Sequence, residues 1–155
     1  MRDMRVGIQP IELPGYINRA QMVKRIGENR LEVSSLNRWA DYPDRMIQRV
    51  IGENLQLLLA EARVYSAPWP VGLQPDMVVD FSFFELIGTD DKKIRLSVVW
   101  TIRAKDDPAA GLSRRTSLSE KMPGSGFEDI AAAHSRVLAT LCRDVAHALN
   151  DFSAQ

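Results

Sequence analysis

The stretch MVVDFSFFEL at Met77–Leu86, followed after a polar turn by IRLSVVWTI at Ile94–Ile102, decides the fold of this chain. Apolar side chains occupy every second position of the later stretch, which is the pattern of a β-strand with one buried face. In the earlier stretch, Val79, Phe81, Phe83 and Glu85 are predicted to share one face, and Val78, Asp80, Ser82 and Phe84 the other.

Two amphipathic helices are predicted on either side of this strand pair. Within Pro43–Ala62, apolar residues recur every three or four positions, which marks one face of a helix. Pro43 suits the first helical turn, because its missing N–H would have no partner there. The turn-rich Pro123–Gly126 precedes a second helix, whose apolar stripe runs from Ile130 to Phe152.

Shorter strands are predicted in the rest of the chain. Gly111–Met122 is mostly polar and is predicted to lie at an edge of the sheet. The order of strands, helix, strands and helix predicts an α+β fold: one mainly antiparallel or mixed sheet of about five to seven strands, with both helices packed on one face in a two-layer sandwich. The remaining strands are predicted at Val6–Ile8, Gln21–Ile26, Arg30–Leu36 and Arg63–Ser66.

The composition is that of one ordinary globular domain, predicted to span residues 1–155. The chain is 45% apolar and 26% charged. A domain of this size buries about 68–70% of the surface that its unfolded chain exposes, so it needs no disulfide or metal to fold. Lys and Arg together number 20 and balance 20 Asp and Glu, which argues against a nucleic-acid-binding protein.

No motif in the sequence supports enzymatic activity, a cofactor or a metal. The nucleophile pattern G-x-S-x-G and the glycine-rich phosphate-binding patterns are absent. His134 and His147, the only two histidines, lie about 20 Å apart along the closing helix and cannot share a metal. The single cysteine, Cys142, falls on the apolar stripe and is predicted to be a buried structural thiol.

Two tryptophans beside rigid or cationic neighbours leave two interpretations open. Trp69 lies between Pro68 and Pro70, and Trp39 follows Arg38 just before the first helix. Each is predicted either to plug the core at a sheet edge or to anchor a partner, since Trp and Arg dominate protein interfaces.

A series of short motifs occurs in order along the chain. It comprises Leu13-Pro14-x-Tyr16-x-x-Arg19-x-Gln21-x-Val23-x-Arg25, Asn29-Arg30-Leu31-Glu32, Arg38-Trp39-Ala40, Ile51-Gly52-Glu53-Asn54-Leu55, Pro68-Trp69 and Leu96-Ser97-Val98-Val99-Trp100. From about Val6 to Leu149 the chain thereby resembles the PqiC/YmbA-type ABC-transport auxiliary lipoprotein family. The family's acidic-Pro motif after Arg-Trp-Ala is displaced here by one residue, to Asp41-Tyr42-Pro43.

The resemblance implies a non-enzymatic protein of the bacterial cell envelope without a cofactor. Such proteins are exported, lipidated on an N-terminal cysteine and anchored facing the periplasm, usually in the outer membrane. They work with an ABC permease, its ATPase and an MCE-type periplasmic protein to move lipids or other apolar molecules between membranes. No lipid-bearing cysteine or export signal is visible near Met1, and Cys142 cannot replace it, so we expect a trimmed or mispredicted start.

Under this hypothesis the chain contacts partner proteins and no nucleic acid. The alternative is a soluble cytoplasmic small-ligand-binding protein or an enzyme of unknown reaction. Direct lipid carriage by the domain also stays open, and so does a homo-oligomer, since the polar edge strand could seat a neighbour. The residues expected to contact partners are Leu13, Tyr16, Arg19, Gln21, Arg25, Arg38, Trp39 and Trp69.

Overall fold

The computed structural model describes residues 3–154, which form one mixed sheet of seven strands and two helices. This architecture confirms the predicted α+β fold. In chain order the elements are β1 (Met4–Ile8), β2 (Gln21–Ile26), β3 (Arg30–Arg38), α1 (Pro43–Leu58), β4 (Ala62–Ser66), β5 (Met77–Thr89), β6 (Lys93–Ala104), β7 (Gly111–Lys121) and α2 (Phe127–Ser153).

Strand β5 organises the sheet. On one side it pairs antiparallel with β6, which pairs antiparallel with β7. On the other side it has two parallel neighbours: β1 pairs with its start, at Met77, and β2 with its end, at Gly88. Strand β4 lies outside β1, and β3 lies outside β2. The sheet is therefore forked, with a gap between β1 and β2 along one edge of β5.

The main core lies between the sheet and the helices, and the predicted face of β6 is part of it. Every second residue of β6 from Ile94 to Ile102 is buried, as the alternation predicts. Helix α2 approaches β5 so closely at Gly88 that a Cβ there would lie 2.4 Å from Cγ1 of Ile130. The opposite side of the sheet, which carries no helix, is called the outer face below.

A β-bulge in β5 corrects one predicted orientation. Phe83 pairs with Val98 and Glu85 pairs with Ser97, so Phe84 is an extra residue with no partner in β6. The prediction that Glu85 shares a face with Phe83 is therefore wrong. The extra residue shifts the alternation by one position, which turns Glu85 to the outer face and brings Leu86 into the core.

Helix α1 ends at Leu58, four residues before the predicted end, because the chain turns back into β4 at Ala62. Gln56, in the last turn of the helix, holds this junction together. Its Nε2 donates to the carbonyl of Ala62 at 2.8 Å, and its Oε1 accepts a hydrogen bond from the N–H of Val64 at 2.9 Å. The helix thereby occupies part of the free edge of β4.

Candidate partner-binding surface

Residues 9–20, called the crossing segment here, fill the gap between β1 and β2. Backbone hydrogen bonds join it to the edge of β5: Gln9 donates to Val79 at 3.0 Å and Glu12 donates to Phe81 at 3.2 Å. The N–H of Phe83 in turn donates to Glu12 at 2.9 Å. The segment therefore serves as a short, irregular extension of the sheet.

Beyond Glu12 the segment forms a single helical turn that places Tyr16 over the bulge. The carbonyl of Pro14 accepts hydrogen bonds from the N–H groups of Ile17 at 3.0 Å and Asn18 at 2.9 Å. The hydroxyl of Tyr16 then donates to the carbonyl of Phe84 at 3.4 Å. Burial, followed by the negative charge of Glu85, raises the pKa of Tyr16, so this hydroxyl keeps its proton at neutral pH.

An ion pair lies beside this hydrogen bond. Nη2 of Arg25 in β2 is 2.8 Å from Oε1 of Glu85, and each side chain is 27% exposed. On the other face of β2, Nζ of Lys24 lies 5.2 Å from the ring centre of Phe127 in α2. Because alternate residues of a strand face opposite sides, Arg25 projects to the outer face.

Exposed apolar side chains surround this ion pair. Phe84 is 50% exposed, and Tyr16 is 40% exposed. In β3, Leu31 lies opposite Arg25 and is 44% exposed, and Val33, opposite Val23, is 40% exposed. We call Tyr16, Arg25, Leu31, Val33, Phe84 and Arg115 the outer-face patch.

Arg115 brings a cation from β7 to the patch. Its guanidinium lies 5.3 Å from the ring centre of Phe84, within reach of a cation–π interaction. It also donates to Oγ of Ser97 at 3.1 Å, which restricts its orientation. Exposed aromatic rings beside arginines are the composition that protein interfaces favour.

The predicted contact residues fall into separate groups, and the structure brings only Tyr16 and Arg25 into the patch. Arg19 and Gln21 are half-buried at the start of β2, where Nε of Arg19 donates to Oε1 of Gln21 at 3.4 Å. Arg38 is exposed and pairs through its backbone with Gln21. Leu13, in the crossing segment, packs against the main core.

Trp39 lies on the opposite side of the sheet, in a groove between the helices. Its ring packs against that of His134 in α2, with the centroids 5.0 Å apart and the planes tilted by 40°, and it also packs against the main core. Burial lowers the pKa of His134 to about 4. The cavity here is about 80 Å³ and is lined by Trp39, Pro43, Met46, Ile47, Val50, Ala131, His134, Ser135 and Leu138.

Trp69 covers the outer face of β1. A Cβ built on Gly7 would lie 2.6 Å from Cζ2 of Trp69 and 2.5 Å from Cγ of Pro75, so the indole fits only because this residue is glycine. The indole nitrogen is buried and has no hydrogen-bond partner within residues 3–154. The indole of Trp69 is therefore packed against β1.

The sequence prediction did not select four residues of the patch, or the neighbouring Glu85, as contact residues; the four are Leu31, Val33, Phe84 and Arg115. A signal for Phe84 existed, since it is a large apolar side chain at a position predicted to share a polar face with Asp80 and Ser82. The environments of Glu85 and Arg115 depend on strand pairing and on the bulge, for which the sequence carries no comparable local pattern.

Cys142 is fully buried, as predicted, and burial raises its thiol pKa to about 12. Within residues 3–154, no three His, Cys, Asp or Glu side chains are grouped so that they could hold a metal ion. Neither helix in this range combines the length and apolarity needed to span a bilayer.

Solved structures of other proteins share this fold. An uncharacterized protein superposes with a TM-score of 0.85 at 16% identity, covering 95% of this chain and 92% of its own. A Xanthomonas campestris protein of family DUF330 gives 0.77 at 10% identity, covering 94% and 82%. PelC from Paraburkholderia phytofirmans, crystallised as a dodecamer, gives 0.53 at 10% identity, covering 90% and 87%. At these identities the similarity establishes the fold alone.

The family assignment comes from the sequence. No curated protein matches the chain significantly. The family model for ABC-type transport auxiliary lipoprotein components, however, matches residues 1–146, nearly the full length, in agreement with the resemblance seen in its motifs. The chain therefore belongs to the family of ABC-type transport auxiliary lipoprotein components.

Proposed function

We propose that this protein is a non-enzymatic assembly subunit of an MCE-type ABC system that moves lipids or other apolar molecules between membranes. It acts in the periplasm, anchored to the outer membrane by a lipid on an N-terminal cysteine of the full-length protein. The outer-face patch, in a chain of this family, is the observation that carries the proposal. Through this patch the domain contacts the MCE protein or the permease.

The volume of the apolar cavity favours a binding subunit over a lipid carrier. Pockets for small molecules usually measure about 300–1,000 Å³. The apolar cavity between the helices measures about 80 Å³. A groove of about 780 Å³ between α1 and β4 is open to solvent, and Arg45 and Glu53 are among its lining residues. A second groove, of about 1120 Å³, is also open to solvent and is lined in part by the charged residues Arg5 and Asp76. Neither groove encloses an acyl chain and shields it from water.

Affinity purification from envelope extracts tests the proposal. The tagged full-length protein, solubilised in gentle detergent, should recover the MCE protein or the permease. Phe84→Glu and Leu31→Glu should each reduce recovery at least tenfold, because each places a charge in the patch. Leu57→Glu is the matched control, since Leu57 is 81% exposed on α1, and it should recover the partners fully. Recovery of neither partner by the unaltered protein contradicts the proposal.

The anchor has a separate test. Genomic DNA upstream of the Met1 codon should encode, in frame, an apolar export segment that ends in a cysteine-containing lipidation box. Metabolic labelling with a radioactive fatty acid should then mark the full-length protein but not a variant in which that cysteine is serine. An upstream sequence without such a segment, in an organism with one membrane, contradicts both the location and the lipid-transport role.

A further inference from the structure

Strand β7 presents a long, regular edge with no neighbour within the described residues. It pairs with β6 without a break from Gly111 to Lys121 and has no second strand beside it. The two other outermost strands differ: Gln56 occupies part of the edge of β4, and the pairing of β3 with β2 is interrupted between Gln21 and Val23. Soluble proteins guard open edges with proline, bulges or charged side chains. Strand β7 has no proline and no bulge, and its charged side chains are of both signs.

We propose that β7 pairs antiparallel with β7 of a second copy of this chain, about a two-fold axis through Ser117, so that the two sheets become one. In this register Arg114 of each copy lies opposite Glu120 of the other. Opposite charges directly across an antiparallel pair stabilise it, and like charges destabilise it. The strand is thus complementary in charge to itself, which an isologous interface requires.

The neighbouring registers are less favourable. An axis through Leu118 sets Arg115 opposite Lys121 of the other copy, and an axis through Arg115 sets that arginine opposite itself. An axis through Thr116 avoids both clashes but sets Arg114 opposite Leu118 and forms no ion pair. Only the axis through Ser117, among these four, combines two ion pairs with no repulsive pair.

Side chains of β7 are available for this pairing. Arg114 lies with its guanidinium 5.8 Å from the ring centre of Trp100, and Nε of Arg136 lies 3.6 Å from Oε2 of Glu120. Both side chains are accessible to a further partner: Arg114 is exposed, and Glu120 is 36% exposed in its pair with Arg136. Leu112 and Leu118 are half-buried against the core, so a second copy would cover the remainder of their surfaces.

Disulfide crosslinking tests the axis directly. In Ser117→Cys the two new thiols face each other, so mild oxidation should link the chains into a species of twice 17.4 kDa. Ser113→Cys is the control, because the two Ser113 positions would lie about 26 Å apart along the paired strands. Cys142 is buried and should give no background. Absence of the Ser117→Cys dimer, or equal crosslinking of both variants, overturns the proposal.

Charge reversal tests the two ion pairs by sedimentation velocity. Arg114→Glu and Glu120→Arg should each raise the dimer dissociation constant at least tenfold, and combining them in one chain should restore dimerisation because the pairs are exchanged. Thermal unfolding of each variant identifies loss of folding, which Glu120→Arg could cause through repulsion of Arg136. Failure of a folded double variant to recover dimerisation overturns the proposal. So does a larger assembly in which Ser117→Cys does not crosslink.

Discussion

The hydroxyl of Tyr16 donates a hydrogen bond to the carbonyl oxygen of Phe84, at the residue where β5 bulges away from β6, with an oxygen–oxygen distance of 3.4 Å. This contact joins the crossing segment to β5 beyond the last backbone hydrogen bond, at Glu12. It therefore fixes the position of an aromatic side chain in the outer-face patch.

Removing that hydroxyl should lower the free energy of unfolding. Tyr16→Phe keeps the ring and loses one hydrogen bond, and we expect a loss of about 0.5–1 kcal/mol, because the bond is partly exposed to water. Urea denaturation followed by circular dichroism measures it. Tyr42→Phe is the control, because the Tyr42 side chain is an exposed tyrosine, 50% accessible to solvent. Equal stability of Tyr16→Phe and the unaltered protein contradicts this prediction.

The ion pair between Arg25 and Glu85 should contribute more than the exposed pairs. Its atoms are 2.8 Å apart and each side chain is 27% exposed, so solvent screens the pair only in part. A double-mutant cycle with Arg25→Met and Glu85→Gln should give a coupling energy of about 1 kcal/mol, at the upper end of the range for ion pairs near the surface. The same cycle at Arg63 and Asp3, which are 67% and 62% exposed, should give less than about 0.5 kcal/mol. Equal coupling energies would show that burial does not strengthen the Arg25–Glu85 pair.

Gly7→Ala should destabilise the protein by displacing Trp69. The added methyl would overlap Trp69 and Pro75, and overpacking of this kind costs about 1–3 kcal/mol. Tryptophan fluorescence should shift to longer wavelength as the indole becomes more exposed. Gly15→Ala is the control, because a Cβ at Gly15 meets nothing within 4 Å. A stable Gly7→Ala protein with unchanged fluorescence would mean that Trp69 can move without cost.

Most secondary structure of this protein follows from local sequence patterns, whereas its strand order does not. The alternation in Ile94–Ile102 and the helical spacing after Pro43 indicate which face of each segment is buried. These patterns involve only residues that are close in sequence. The crossing segment is different, because Tyr16 bonds a residue 68 positions away. A single sequence contains no local signal for such a contact.

The bulge explains why the orientation of Glu85, beside the patch, could not be predicted. Strict alternation places Glu85 in the core, and one extra residue in β5 is enough to turn it toward Arg25. The two tryptophans also needed the structure. Trp39 packs against His134, and Trp69 packs over Gly7, contacts that bring together elements distant in the sequence. Whether either tryptophan also contacts a partner stays a prediction.

Protonation of His134, in the groove between the helices, should make the free energy of unfolding depend on pH. Burial lowers the pKa of His134 to about 4, whereas in the unfolded chain it is about 6.5. Between these values the unfolded state binds a proton that the folded state does not. The free energy of unfolding should therefore fall as the pH drops from about 6.5 to 4, by at most about 1.4 kcal/mol per pH unit.

Unfolding in urea at several pH values between 7.5 and 4.5 measures this dependence. His134→Gln should lose most of it, because glutamine does not titrate. His147→Gln, on the same helix, is the matched control, since the side chain of His147 is 80% exposed. Burial alone would raise the pKa of Asp76, but hydrogen bonds and charge from Arg5 outweigh this effect and lower that pKa. Protonation of Asp76 should therefore weaken the fold only below pH 4, outside the measured range. If His134→Gln and the unaltered protein show the same pH dependence, the imidazole takes up its proton as readily in the folded protein as in the unfolded chain, and the neighbouring Trp39 ring then accommodates a cation.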